Sequence, residues 1–208
     1  ISHVIGNEMV IRRLYKFCAS HVVRNCSSLK CAQNIHGHNY EVEVFIETNR
    51  LDNANMALDF GLMQQEMQTF IDSFDHAHHF WDKESLEFQR FIETNCVRYV
   101  KCSFNLSAES YALMFLYYLT KILQKSVFSN NEGELKVSSV RVHETKNGYA
   151  ESFLKDLENP HFKSLVHDHC VSFSQGIQSL WHDKDFFHKI ISDEEKCFFH
   201  AKPLHQIP

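Results

Sequence analysis

A strand pattern that begins in two histidines constrains this chain more than any other feature of its sequence. The alternation runs from His36 to Thr48, and the residues that share the parity of His36 and His38 are Tyr40, Val42, Val44 and Ile46. Successive side chains of a strand point to opposite faces, so both imidazoles are expected at one end of its buried face. Gly37 between them has no side chain, which lets the backbone lie close to an ion or a ligand.

The preceding apolar segment ends in a third histidine. Residues 10–21 predict a strand whose apolar face runs through Phe17 and Ala19 directly into His21. If this strand pairs antiparallel with the next, His21 comes beside His36 and His38. Three imidazoles with an open fourth position are typical of a catalytic zinc site. The two strands together therefore predict a metal centre.

The strand context matters because histidine by itself is weak evidence in this chain. There are 15 histidines among 208 residues. A second His-x-His, at His167 and His169, lies in a stretch without a strand pattern. We interpret that second motif as part of a solvated face, because a short motif needs a supporting structural context.

The remaining segments indicate an α+β fold. We predict helices over 60–73, with Asp59 as its N-cap, and over 107–125. Strands over 135–144 and 149–153 follow, joined by an Asn147-Gly148 turn. Residues 83–102 give no clear pattern, and we interpret His78 and His79 as surface residues. For the domains we expect a possible vector-derived leader over 1–8, one domain over 9–158, and a partly helical C-terminal extension over 159–208.

Composition excludes several classes of function. The net charge is −5 and no run of lysine and arginine occurs, so nucleic acid is not an expected partner. The longest apolar runs are too short to span a bilayer, so no membrane association is expected. Seven cysteines form an odd set without a Cys-x-x-Cys pair, and no export signal is visible. These features indicate reduced thiols and a cytoplasmic protein.

Six short motifs occur in one order between residues 10 and 153. They are Phe17-Cys18-Ala19-Ser20-His21, His36-Gly37-His38-Asn39-Tyr40, Asp59-Phe60, Asp75-His76, Ser107-Ala108-Glu109 and His143-Glu144-Thr145. In this order the chain resembles the 6-pyruvoyltetrahydropterin and 6-carboxytetrahydropterin synthase family. The resemblance implies the tunnelling fold, an antiparallel sheet with helices on one face that closes into an oligomeric barrel. It also implies active sites that lie between subunits.

The resemblance assigns roles to the residues at matching positions. The zinc ligands are His21, His36 and His38. Cys31 matches the catalytic cysteine, expected to act as a general base, and Cys26 is the competing thiol. Asp75 and His76 match an acid–base pair, in which the carboxylate fixes the imidazole tautomer.

The resemblance also implies how substrate is held. Glu144 matches the carboxylate that anchors a pterin ring, and the alternative is a salt bridge to Arg141 or Lys146. Ser107 matches a small hydroxyl residue near the pterin. The resemblance also implies a substrate that carries a triphosphate group, and such a group needs cationic side chains to bind it. Five candidates remain open: Arg12, Arg13, Lys16, Arg24 and Lys30.

The expected activity is that of a zinc-dependent lyase acting on 7,8-dihydroneopterin triphosphate. The carboxy-type reaction releases acetaldehyde and triphosphate and gives 6-carboxy-5,6,7,8-tetrahydropterin, for queuosine and 7-deazaguanine synthesis. The alternatives are the pyruvoyl-type reaction, which eliminates triphosphate, and a non-catalytic protein that binds pterin or metal. The expected partner is a further copy of the chain, in a hexamer or another trimer-based assembly.

Overall fold

The computed structural model describes residues 8–200, and of the expected leader 1–8 only Glu8 lies among them. The strands are β1 (Met9–His21), β2 (His36–Thr48), β3 (Ala77–Trp81), β4 (Tyr99–Cys102), β5 (Ser126–Val127), β6 (Leu135–Thr145), β7 (Gly148–Phe153), β8 (Val171–Phe173) and β9 (Phe198–Phe199). The helices are α1 (Leu29–Ala32), α2 (Glu66–Asp72), α3 (Leu86–Asn95), α4 (Ala108–Lys125), α5 (Pro160–Lys163), α6 (Gln175–Gln178) and α7 (Phe186–Ile191). Two 3₁₀ turns cover Leu62–Gln64 and Leu154–Glu158.

The described residues form an α+β fold around one mixed sheet. Seven strands follow the order β7-β6-β2-β1-β3-β4-β8, and β5 pairs with β9 in a separate small sheet. β1, β2, β6 and β7 are antiparallel, whereas β3 lies parallel to both β1 and β4. The expectation of a purely antiparallel sheet is therefore wrong. The parallel part arises because α3 connects β3 to β4, and parallel neighbours need such a crossover.

One face of the sheet carries the core. The predicted alternation of β2 is confirmed, because Tyr40, Val42, Val44 and Ile46 are buried while Asn39 is exposed. The long helix α4 packs on β6 and β7, and α2 packs on β1. α4 contains neither Gly nor Pro and is buried on most sides, as expected of a helix that is apolar around its circumference.

The segment before β3 folds differently from the prediction. The helix expected over 60–73 is divided into a 3₁₀ turn and α2, because Gln65 between them has φ −85° and ψ −100°, outside the helical region. Asp59 does not cap α2. Its carboxylate instead accepts a hydrogen bond from the Gly61 amide at 2.7 Å.

Residues beyond 159 contribute to the same sheet. β8 pairs antiparallel with β4, and Trp181, Phe186 and Ile190 are buried with the core residues. The proposed division of the chain near residue 159 stays a prediction. Among residues 8–200 we find no helix with the length and apolar character that crossing a membrane would require.

Candidate metal centre and surrounding site

The three predicted metal ligands meet at one end of the β1–β2 ladder. The antiparallel register pairs His21 with His36 and Ala19 with His38. The two Nε2 atoms of His21 and His36 are 3.1 Å apart, and one nitrogen from each of the three rings lies within 4.8 Å of the others. Ligands of a tetrahedral zinc ion lie roughly 3.3 Å from one another. Among the described residues this is the one group of histidine, cysteine and acidic side chains that is gathered closely enough to hold an ion.

The environment of His21 and His38 favours the neutral imidazole, which is the form that binds a metal. Burial, together with the neighbouring His36 and His38 rings, lowers the pKa of His21 from 6.5 to about 3. Burial also lowers the pKa of His38, against the opposing effect of the Glu144 carboxylate. His36 Nδ1 donates to the carbonyl of Asn34 at 3.0 Å, which leaves its Nε2 free to face the other rings.

Gly37 is required by the neighbouring strand. A Cβ atom at this position would lie 3.0 Å from the carbonyl oxygen of Ala19. The absence of a side chain therefore lets β1 and β2 approach each other beside the histidines, a role that the sequence pattern did not indicate.

Glu144 lies beside the histidine triad. A register shift between His143 and Thr145 interrupts the β6–β7 ladder at this residue. The Tyr40 hydroxyl donates to Glu144 Oε1 at 3.3 Å, and the same oxygen is 3.6 Å from His21 Nε2. Among the described residues no ion pair joins Glu144 to Arg141, which instead pairs with Glu151 at 3.0 Å. The carboxylate is thus available to a ligand.

Tyr40 belongs to the site, although the sequence analysis assigned it to the core. It is 1% exposed, and its hydroxyl lies 3.3 Å from His21 Nδ1 as well as contacting Glu144. The signal was present, since Tyr40 shares the strand parity of His36 and His38.

The Asp75 and His76 side chains are in contact. Asp75 Oδ2 accepts a hydrogen bond from His76 Nδ1 at 2.7 Å, while Oδ1 accepts one from the Cys18 amide at 2.7 Å. His76 has φ 50°, an uncommon value that turns its ring back toward the preceding residue. Arg98 donates two hydrogen bonds to the Asp75 carbonyl, at 2.9 and 2.7 Å. The Nε2 atom of His76 has no hydrogen-bond partner among residues 8–200.

The Asp75–His76 pair is not hydrogen-bonded to the triad in the described part of the chain. Its neighbour Cys18 differs in strand parity from His21, so the two side chains leave β1 on opposite faces. In residues 8–200 no hydrogen bond or ion pair joins Asp75 or His76 to the three histidines.

The two candidate thiols lie in the loop between β1 and β2. Cys31 is part of α1, is half-buried, and its carbonyl accepts a hydrogen bond from the Val23 amide at 3.0 Å. Cys26 is also half-buried and donates from Sγ to the Ser28 carbonyl at 3.3 Å. Neither thiol is hydrogen-bonded to the triad in the described chain. The choice of Cys31 therefore remains a prediction.

Ser107 is the N-cap of α4. Its hydroxyl oxygen accepts a hydrogen bond from the Ser110 amide at 3.3 Å, which satisfies one of the free amides of the first helical turn. The preceding residue, Leu106, hydrogen-bonds through its backbone to His21. The cap thus holds the start of α4 next to the triad.

The prediction that His78 and His79 lie on the surface is wrong. They are 6% and 0% exposed, because β3 is an interior strand of the sheet. His79 Nε2 donates to the Phe74 carbonyl at 3.0 Å, so its Nδ1 accepts a hydrogen bond from the Tyr111 hydroxyl at 2.7 Å. The apolar residues Phe80 and Trp81 that follow were the available signal for a buried strand.

Two neighbouring cavities share His38. One, of about 850 Å³, is lined by Tyr40 and Glu144 as well as His38. The other, of about 660 Å³, is lined by His76 and Arg98. His38 therefore borders both the cavity that contains Glu144 and the cavity that contains His76.

Four of the five candidate triphosphate ligands have partners in the chain. Arg12 pairs with Glu43, Lys16 with Glu41 and Arg24 with Glu84, while Arg13 donates to the Phe60 carbonyl. Lys30 has no ion-pair partner among residues 8–200, so it is the candidate that the other described side chains leave open.

Comparison with known sequences places this chain among related proteins. The sequence model of a family described as 6-pyruvoyl tetrahydropterin synthase matches residues 10–153. A Helicobacter pylori strain J99 protein named 6-carboxy-5,6,7,8-tetrahydropterin synthase is 98% identical over 200 residues, which cover 96% of this chain and 100% of that protein. A Rickettsia conorii protein with the same name is 32% identical over 125 residues, covering 59% of this chain and 84% of its own length.

Solved structures agree on the fold. The crystal structure of an uncharacterised protein from Wolinella succinogenes superposes with a TM-score of 0.54 at 20% identity, over 71% of this chain and 98% of that one. The 6-pyruvoyl tetrahydropterin synthase of Plasmodium falciparum superposes with a TM-score of 0.53 at 15% identity, over 71% and 99%. The match to the family sequence model extends over more than half of the chain and includes all three histidines. This chain therefore belongs to the 6-pyruvoyl tetrahydropterin synthase family.

Proposed function

We propose that this chain is a 6-carboxy-5,6,7,8-tetrahydropterin synthase, a lyase that acts on 7,8-dihydroneopterin triphosphate. The observation that carries the proposal is its 98% identity to the Helicobacter pylori protein of that name, over the full length of that protein. The products are 6-carboxy-5,6,7,8-tetrahydropterin, acetaldehyde and triphosphate. Water supplies the second carboxyl oxygen, and the side-chain carbon that remains on the ring is oxidised as the dihydropterin ring is reduced.

The donor set fits Zn²⁺. His21, His36 and His38 offer three neutral imidazole nitrogens and no hard carboxylate ligand, a combination that suits zinc and leaves a position for substrate. When bound, zinc supplies Lewis acidity toward the oxygens of the substrate side chain.

Glu144 is proposed to bind the pterin ring. An ionised carboxylate accepts two hydrogen bonds, here from the amino group and a ring N–H of the pterin. The hydrogen bond from Tyr40 orients the carboxylate beside the triad, which supports this role. Ser107, at the start of α4, is proposed to border the pterin.

Proton transfer is proposed to use Cys31 and His76. Cys31 removes a proton from the substrate side chain as general base. His76 moves a second proton at Nε2, because Asp75 accepts the hydrogen bond from Nδ1 and so fixes the tautomer.

The site is proposed to be completed by a second copy of the chain. The acid–base pair and the triad do not contact each other within one chain, so a homo-oligomer would supply the pair from one subunit and the triad from another. We propose a hexamer or another trimer-based barrel. The seven cysteines are all free thiols, which fits a cytoplasmic location.

Product analysis tests the proposal. Purified, zinc-loaded protein is incubated with 7,8-dihydroneopterin triphosphate, the pterins are identified by mass spectrometry, and acetaldehyde is measured with alcohol dehydrogenase and NADH. We expect equal amounts of acetaldehyde and triphosphate. Replacement of His38 by Ala should abolish both products and bound zinc, whereas replacement of the exposed His169, from the second His-x-His, should leave them unchanged.

Two results would contradict the proposal. Triphosphate without acetaldehyde would identify a 6-pyruvoyl tetrahydropterin synthase, the activity after which the family is described. Tight binding of the pterin without any product would identify a non-catalytic binding protein.

A further inference from the structure

The segment that carries Cys31, residues 28–35 (the Cys31 loop), contains no buried apolar side chain. α1 contains no buried residue, and Leu29 and Ile35 on either side of Cys31 are 69% and 52% exposed. A segment with few buried apolar contacts opens easily unless polar contacts hold it. The position of the Cys31 thiol therefore depends on the hydrogen bonds of this loop.

Two hydrogen bonds tie the loop to the residues that follow His21. The Val23 amide donates to the Cys31 carbonyl at 3.0 Å. Arg24 Nη1 donates to the carbonyl of Ala32, the next residue, at 2.8 Å. The second bond comes from a side chain, and it can be removed without altering the backbone.

Arg24 itself is fixed from several sides. Its Nε and Nη2 atoms contact the two carboxylate oxygens of Glu84 at 2.7 and 2.9 Å, a bidentate pair. The Asn105 side chain accepts a hydrogen bond from the Arg24 amide at 3.0 Å and donates one to the Arg24 carbonyl. The Phe88 ring lies 5.7 Å from the guanidinium. The Glu84 side chain is only 7% exposed, so leaving it without a partner would be costly.

Glu84 and Phe88 belong to the crossover between β3 and β4. Gln89 in the same crossover donates to the carbonyls of Asp82 and Glu84, at 3.0 and 2.8 Å, which fixes the turn that presents the Glu84 carboxylate. Arg24 therefore connects two separate segments, the crossover and the Cys31 loop, next to the end of β1.

We propose that Arg24 is a positioning residue that holds the Cys31 loop against the metal centre, and that Glu84 orients its guanidinium. The inference rests on the proposed function, in which Cys31 is the general base. It also removes Arg24 from the candidate triphosphate ligands, because Nε, Nη1 and Nη2 are all engaged within the chain.

The first test compares two arginines that bind backbone carbonyls. In Arg24→Met the loop loses its side-chain anchor, and we expect kcat to fall by about tenfold to a hundredfold because the base is displaced. KM and zinc content should stay at wild-type values. The control is Arg50→Met, since Arg50 donates to the carbonyls of Asn131 and Glu132 at the opposite end of β2. The control should keep its kcat, and an unchanged kcat in Arg24→Met would overturn the inference.

Exchanging the two charges separates positioning from general stability. The double variant Arg24→Glu, Glu84→Arg restores an ion pair but leaves residue 24 without a donor for the Ala32 carbonyl. We expect its melting temperature to recover relative to Arg24→Glu alone, while kcat stays low. Recovery of kcat together with stability would show that the ion pair alone matters, and would overturn the assigned role.

A measurement independent of turnover separates this inference from the proposed function. Alkylation of each cysteine by iodoacetamide is followed by peptide mass spectrometry in the zinc-loaded protein. In Arg24→Met we expect Cys31 to react several times faster than in the wild type, with Cys197 unchanged. If the wild type forms product and Cys31 reacts equally in both proteins, only the inference fails. If the wild type forms no product, the proposed function fails, and the alkylation rates alone decide the inference.

Discussion

At the scale of single residues, the site depends on a few side chains in which a hydrogen bond occupies one polar atom and leaves another polar atom open to a ligand. His36 uses Nδ1 for the Asn34 carbonyl and keeps Nε2 for a metal, while His76 uses Nδ1 for Asp75. Glu144 receives one hydrogen bond, from Tyr40, and no ion pair with a cation among the described residues. The triad could be predicted because strand parity is a local property. The contact between Asp75 and His76 was expected from the resemblance and is observed, but the positive φ of His76 that brings the two adjacent side chains together had no signal in the sequence.

The Glu144 carboxylate gives the first prediction. In Glu144→Gln the side chain keeps its shape but loses the charge that receives the pterin N–H groups, and it places an amide N–H₂ in the same pocket. We expect KM for 7,8-dihydroneopterin triphosphate to rise about tenfold to a hundredfold, as for the loss of a charged hydrogen bond. Steady-state kinetics measure this. The control is Glu134→Gln. Glu134 is an exposed acidic residue that directly precedes β6, and its replacement should leave KM unchanged. An equal KM in the two variants would exclude Glu144 from pterin binding.

At the scale of elements, long periodic segments were predictable and short ones that pair with distant strands were not. β2 and α4 carry complete local patterns, so β2 was predicted with its observed bounds and α4 to within one residue. The strands β3, β4 and β8 have five residues or fewer, and their register is set by partners far along the chain. The buried His78 and His79 were misassigned for that reason.

Ser107 gives a prediction that separates a cap from a substrate contact. Ser107→Ala removes the hydrogen bond to the Ser110 amide, and we expect the free energy of unfolding to fall by about 1 kcal/mol. Urea denaturation measures this loss. Ser85→Ala removes the equivalent bond to Phe88 at the start of α3 and is the matched control. If both variants lose stability but only Ser107→Ala raises KM, Ser107 also contacts the pterin. Equal KM values would restrict it to capping.

The interior position of β3 predicts acid sensitivity. Burial lowers the pKa of His79 to about 3, whereas an unfolded histidine has 6.5. Between these two values the unfolded chain binds a proton that the folded chain does not, so stability falls as the pH falls from 6.5. Lowering the pH to 5 should cost on the order of 2 kcal/mol through His79. Urea denaturation in the presence of a chelator measures the slope. His79→Phe should be less stable at pH 7 but show a smaller further loss at pH 5, and an unchanged slope would contradict the prediction.

At the scale of the whole molecule, the sheet has strand edges that the described residues leave unpaired. β3 pairs with β1 only at Ala19 and Ser20, which leaves the first part of β1 unpaired on that side. β7 lies at one end of the sheet, and its outer edge pairs with no other strand formed by residues 8–200. Exposed antiparallel edges favour pairing with another chain. This supports the proposed assembly, in which the acid–base pair and the triad come from different subunits.

Mixing two inactive variants tests that arrangement. His38→Ala lacks a metal ligand and His76→Ala lacks the acid–base imidazole. If each site takes these residues from two subunits, dissociating and reassembling an equal mixture should restore up to about a quarter of the wild-type activity. Activity of the separately treated variants is the control. A mixture that stays inactive, although mass spectrometry shows mixed oligomers, would place both residues in the same subunit.

The close approach of β1 and β2 at Gly37 has a consequence for how this centre tolerates change. The imidazoles of His21, His36 and His38 are carried by two backbones whose separation is set where a methyl group would meet the Ala19 carbonyl at 3.0 Å. An alanine at position 37 would require β1 and β2 to separate by a few tenths of an ångström, and we expect the ligand nitrogens to shift with the two strands. The affinity of the proposed centre for an ion would then depend partly on a residue that has no side chain with which to coordinate it, and Gly37→Ala should weaken metal binding although all three histidines are kept.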